Sequence, residues 1–320
     1  MKDWSASVGS QESRDPRAGG VVGAGLGAAA VFAVALLLRL LIPFGAVAPF
    51  PLLVLRLRAG AGSAWGAALL AASLLGVAFS PGHALAFLLL LVAPCLLIGE
   101  AMARGRGLLR GCGWAFALLV LELGTALLFA HEAMSASAVA PFDYLRSAAF
   151  IDEMAAAGIP SEHIQAWTEQ AAIVRNVLAV VYPAAYIIGG ALVVLVNAAL
   201  LRGYLARRDP GWLDGGEFEG IHWPLGLAVL FVLTGPMVLW PPLQPAAYNL
   251  LLIEAFFFAL QGLAVIAYFA RRLAAPALLR GAVLLLILIS PWAPHILAGV
   301  GLLDLWCNFR RFADPPAEEE

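Results

Sequence analysis

Long apolar runs, separated by short polar breaks that carry arginine, set the rhythm of this chain. A hydrocarbon core about 30 Å thick is crossed by about 20 helical residues, each rising about 1.5 Å. Runs of that order cover Val21–Ile42, Gly62–Phe79, His83–Met102, Leu108–Ala130, Val177–Leu201, Trp223–Trp240 and Tyr248–Arg272. A shorter apolar piece after Pro43, Pro49 and Pro51 ends at Arg56 and Arg58 and counts as the second of eight crossings. The last apolar stretch, Ala277–Trp306, is interrupted by Pro291-Trp292-Ala293-Pro294. Two half-length helices folded back on each other are the favoured reading of it, against one kinked crossing. A broken helix is tolerated in a bilayer only against protein or a cavity. The predicted fold class is therefore all-α: a polytopic transmembrane helical bundle of eight spans plus a broken C-terminal helical hairpin.

Between the fifth and sixth spans lies a polar interval, residues 131–176. Apolar Phe142, Leu145, Phe150 and Met154 alternate there with acids and predict an amphipathic helix over Pro141–Ala157, closed by Gly158-Ile159-Pro160. Ser161 is a candidate N-cap for a second helix leading into the sixth span, where Tyr182-Pro183 is a bend point. This insertion reads either as a lid over an outward-facing pocket or as a solvated hairpin on the membrane surface.

Composition agrees with the pattern. Of the 320 residues 62% are hydrophobic and 12% charged, whereas a soluble domain carries about 25% charged residues. The formal net charge of −2 gives no reason to expect nucleic acid as a partner. Residues 1–20 are expected to form a disordered cytoplasmic arm, 21–311 a single transmembrane domain with a cytoplasmic loop at 203–222, and 312–320 an acidic tail. With the N-terminus inside, the arginine groups at 56–58, 104–110, 202–208 and 271–272 all fall on the cytoplasmic side.

Candidate chemistry is sparse. There is no P-loop, no HExxH and no GxSxG; Cys95, Cys112 and Cys307 are isolated, and the five histidines are scattered. The expectation is a protein that is not an enzyme and that uses no cofactor and no metal. Polar residues inside the spans are the better signal. Glu254 and Gln261 lie two turns apart on one face of the eighth span, and Glu122 lies near the middle of the fifth. A carboxylate at mid-span costs about 2.5–3.5 kcal/mol on insertion scales, so it turns toward protein. These three are the candidate ligand contacts, each weighed against a structural ion pair or a hydrogen bond between helices. Asn197 and Arg39 are further polar residues at depth, and Asp304 is placed to pair with Arg310 or Arg311. Gly19, Gly23 and Gly27, at four-residue spacing, form a candidate helix-packing stripe.

Gln261-Gly262-Leu263-Ala264, the run Gly301-Leu302-Leu303-Asp304-Leu305-Trp306 and the closing Asn308-Phe309-Arg310-Arg311 resemble the YybS-like family of bacterial multispanning membrane proteins. The small-residue-rich first span and proline-broken second span are more distantly similar to the substrate-binding S components of energy-coupling-factor transporters and to the rod-shape protein MreD. The S-component resemblance implies a small solute bound from outside, together with a separate ATPase and a coupling membrane subunit. The MreD resemblance implies a scaffold that recruits cell-envelope or division proteins. Both imply a bacterial inner membrane and the lipid bilayer as partner. S components have about six spans, fewer than expected here, so no ligand site is carried over from them.

Overall fold

The computed structural model describes residues 46–213 and 218–313, and all regular structure among them is helical. Twelve elements follow in order: α1 Phe50–Ala59, α2 Ala61–Ala78, α3 Pro81–Ala103, α4 Leu108–Phe129, α5 His131–Leu145, α6 Ala148–Ala156, α7 Ser161–Arg208, α8 Leu225–Met237, α9 Gln244–Arg272, α10 Ala277–Ile289, α11 Ala293–Cys307 and α12 Phe309–Ala313. Five helices among the described residues are long and apolar enough to cross a membrane: α2, α3, α4, α7, and α9 with the proline turn before it. Helices α8 and α11, of 13 and 15 residues, are apolar but shorter, about 20–22 Å at the helical rise. Eight full crossings are thus not what these residues show. The predicted first span, with Gly19, Gly23, Gly27 and Arg39, lies outside the described residues, as does the acidic tail.

The chain divides into two compact units. The first comprises residues up to Leu118 together with Leu192–Asp214. Its core is built on alanine: Ala64, Ala67, Ala68, Ala71 and Ala72 recur at helical spacing on α2 and pack with Leu52, Phe87, Val92 and Leu96. Pro94 lacks an N–H, and α3 widens just before it into a π-helical stretch, Phe87–Val92, where Ala93 N–H reaches the Leu88 carbonyl.

The second unit comprises Leu119–Ala191 and residues from Gly215 onward. The helix expected over 141–157 is two helices. Ser147 stands between them, its hydroxyl accepting from Phe150 N–H at 3.2 Å and so capping α6, while Pro141 is absorbed inside α5. The helix beginning at Ser161 continues through the predicted sixth span without a break to Arg208, 48 residues in all. At about 72 Å, α7 is more than twice the hydrocarbon thickness. The C-terminal apolar stretch is divided at residues 290–292 into α10 and α11, as its proline pattern requires.

Candidate functional site

Helices α9 and α11 cross at two glycines. A Cβ on Gly262 would overlap the Leu297 carbonyl oxygen, and one on Gly301 would overlap the Phe258 carbonyl oxygen. No residue with a side chain permits this approach, and backbone contact of this kind drives helix association in a bilayer, where apolar burial gains nothing. Phe258 fills the space beside the crossing with Ala228 and Leu305, edge-on to Phe231.

One residue from that crossing, Gln261 enters a closed polar network. Its Nε2 donates to Asp304 Oδ2 at 2.8 Å, and its Oε1 accepts from Trp223 N–H at 3.1 Å. Trp223 is fixed by its indole N–H, which donates to the Phe257 carbonyl at 2.9 Å. Asp304, completely buried, also receives Arg310 Nη2 at 2.7 Å and the Phe309 N–H at 2.9 Å. Asn308 makes this possible. It ends α11 in the left-handed region (φ 45°), which turns the chain and returns Arg310 toward Asp304. Arg310 then donates to the Glu219 and Ile221 carbonyls, and Arg271 pairs with the Glu219 carboxylate at 2.8 Å. Every polar atom of the Gln261 amide group has a partner inside the protein. A buried charge pair with its remaining valences satisfied is held firmly.

Glu254, two turns earlier on α9, is in a different state. It is 1% exposed, and its Oε1 lies 3.0 Å from the hydroxyl of Thr234 on α8. That hydroxyl also lies 2.9 Å from the Leu230 carbonyl, and one hydroxyl proton serves one of these acceptors at a time. The second carboxyl oxygen, Oε2, is buried without a partner. Glu122 repeats the arrangement on α4: Tyr186 of α7 donates to Oε2 at 3.2 Å, and Oε1 is buried without a partner. The structure therefore places Glu254 and Gln261 on one face, as their spacing implied, but joins them to different partners and gives Glu122 a third.

A polar junction that the sequence did not disclose holds α7 to α9. Asn249 Oδ1 accepts from Ala184 N–H at 2.8 Å, and its Nδ2 donates to the Val180 carbonyl at 2.9 Å. Its amide thus stands in for the Ala184-to-Val180 bond of the helical ladder, immediately after Pro183, where the ring already prevents one such bond. Beside it an open groove of about 570 Å³ is lined by Asn176, Val177, Val180, Val181, Tyr248, Leu251 and Leu252, a mostly apolar wall. Immediately before Pro183, Tyr182 is buried with its hydroxyl against His131 Nδ1. Among the described residues no three His, Cys, Asp or Glu side chains gather as metal ligands would.

A family model described as predicted membrane protein (DUF2232) matches residues 30–305. The chain belongs to that family. It is an integral membrane protein, and its apolar helices contact the lipid bilayer. The matched span includes the glycine crossing, Glu254 and most of the network around Asp304, and it stops short of Arg310. No curated protein and no solved structure matches the chain.

Proposed function

We propose that this member of the family binds a small solute between its helices from the outer side and serves transport, in the manner of an energy-coupling-factor S component. The supporting observation is the carboxyl of Glu254: fully buried, held on one oxygen by Thr234, and with the other oxygen lacking a donor. A buried acceptor in that state costs about 1–3 kcal/mol, which a donor on a bound solute would recover. Glu122, with the same incomplete pattern, is the second polar contact. Gln261 belongs to the frame in this reading, since both ends of its amide are already engaged. The chain has no nucleotide motif, so an ATPase and a coupling membrane subunit supply the energy. The orientation places the arginine-rich helix ends in the cytoplasm of a bacterial cell, with the α5–α6 insertion outside as cover. No catalytic step is assigned.

The test is thermal unfolding of the detergent-purified chain against a panel of vitamins and metal ions. One class should raise the melting temperature of the wild type and leave that of Glu254→Gln unchanged. No shift with any member of the panel, or an equal shift in the variant, contradicts the reading.

A second reading, a non-transporting scaffold of the MreD kind, is favoured by the glycine crossing and the closed network, which leave the Gln261 face packed shut. It predicts that Glu254→Gln is without effect on any binding, and that envelope proteins co-purify with the wild type and are lost on enlarging the packing glycines.

A further inference from the structure

In the first unit, ion pairs tie several helix ends into one place. Arg56 on α1 donates Nη2 and Nε to Glu100 of α3 at 2.6 and 3.0 Å, and Arg104 takes the other oxygen of Glu100 at 2.8 Å. Arg58 of α1 pairs with Asp209 at the end of α7 at 3.1 Å, and its guanidinium lies 5.4 Å from the centre of the Tyr204 ring. The start of α4 joins them: Gly111 lies so close to Ile98 that a Cβ would come within 2.8 Å of its Cα. The ends of α1, α3 and α7 and the start of α4 therefore meet at one end of the unit.

The charge gathered there is unbalanced. Described residues of this unit include eight arginines and two acids, Glu100 and Asp209, an excess of six positive charges. Both acids are consumed by Arg56, Arg58 and Arg104. Among the described residues Arg106, Arg110, Arg202, Arg207 and Arg208 pair with no acid; four of them are exposed and Arg202 is half-buried. All stand where apolar helices give way to polar chain, the depth of lipid headgroups.

We infer that this end of the first unit is a binding site for anionic phospholipid headgroups, formed by the five unpaired arginines around the Arg56–Glu100 and Arg58–Asp209 ties. The ligand group is a phosphodiester, which the planar guanidinium holds in bidentate fashion. The inference rests on the chain being membrane-embedded and is independent of any solute at Glu254. Charge complementarity selects the occupant: the surface is cationic, lies at the bilayer boundary, and its described acids are already paired. Basic clusters beside spans gain about a fivefold increase in affinity for an acidic lipid surface per arginine.

The test uses the full chain in detergent, titrated with phosphatidylglycerol, with phosphatidylcholine and with inorganic phosphate, and followed by native mass spectrometry. Two variants accompany it, Arg106→Gln/Arg110→Gln and Arg202→Gln/Arg207→Gln/Arg208→Gln, with Arg175→Gln, in the other unit, as control. The wild type and the control should hold phosphatidylglycerol at least tenfold more tightly than the other two ligands. The double variant should lose about 20-fold and the triple variant about 100-fold of that affinity. A preference that is strong in low salt and vanishes at high salt supports the site even where a variant fails to fold. Equal binding of the two lipids, binding of free phosphate alone, or full preference in both variants overturns it. An acidic protein as the true occupant would show itself as the first of these results.

Discussion

At the scale of single residues, the same amino-acid type plays opposite parts according to how many of its valences the fold fills. Gln261 and Asp304 are fully engaged, so truncating either partner strands the other in a dry interior. Asp304→Asn should lower stability by about 3–5 kcal/mol, because Arg310, 12% exposed, loses its counter-charge. Arg310→Gln should cost a similar amount, and the double substitution less than the sum of the two, which a double-mutant cycle in thermal or denaturant unfolding would measure. Glu254 is different. Glu254→Gln keeps a group that can meet Thr234 and removes no charge partner, so stability should change by less than about 1 kcal/mol. The sequence predicted that Glu254, Gln261 and Glu122 face protein, because a polar group at mid-span is costly against lipid whatever its partner. It could not show who meets them. Thr234, Tyr186 and the backbone of Trp223 are unremarkable in sequence and become partners only through packing. Asp304 with Arg310 was legible, being six residues apart across a helix end.

At the scale of elements, two junctions govern the second unit. Gly262 and Gly301 lie within the span that the family model matches, and each permits a backbone contact that a side chain would block. Gly262→Ala or Gly301→Ala should force α9 and α11 apart and destabilise the protein by about 1–3 kcal/mol or more, read as a lowered melting temperature. The other junction is Asn249 in the α7 ladder. Asn249→Leu leaves Ala184 N–H and the Val180 carbonyl without partners beside Pro183, and amide hydrogen exchange at Ala184 should accelerate severalfold while that at Leu195 stays unchanged. Pro183 was visible in the sequence as a residue that removes one ladder bond. Asn249 was not, because it sits inside an otherwise apolar run and nothing in its spacing points to a neighbouring helix. Boundaries fared unevenly for the same reason. The breaks at Pro160, Pro241 and Pro291 are local and were readable, whereas the break at Ser147 depends on one hydroxyl choosing a backbone N–H that a continuing helix would have used.

At the scale of the whole molecule, hydrophobic length identified the membrane class and predicted eight crossings, of which the described residues show five helices long and apolar enough to span. Trp223–Trp240 is long enough by composition to span, yet only Leu225–Met237 is α-helical, between Pro224 and a 3₁₀ turn at Pro241. Apolar length measures what a bilayer tolerates; the helix that forms depends on where proline and capping groups cut it. The packing of short α8 and α11 against α9 brings Thr234 to Glu254 and Asp304 to Gln261. Broken helices that line a protein interior are the places where a membrane fold can present polar groups. The function proposed for the chain depends on that arrangement, and on Glu254 being reachable by a solute from water.

Reachability is open to direct measurement. With Cys95, Cys112 and Cys307 replaced by serine or alanine, Glu254→Cys can be exposed in vesicles to a small, charged, membrane-impermeant thiol reagent added from the outer side. Binding from outside predicts labelling of Cys at this position and protection by whichever solute raises the melting temperature of the wild type. No reaction with the water-soluble reagent, together with ready reaction with a lipid-soluble one, would place this side chain toward the acyl chains and contradict the account.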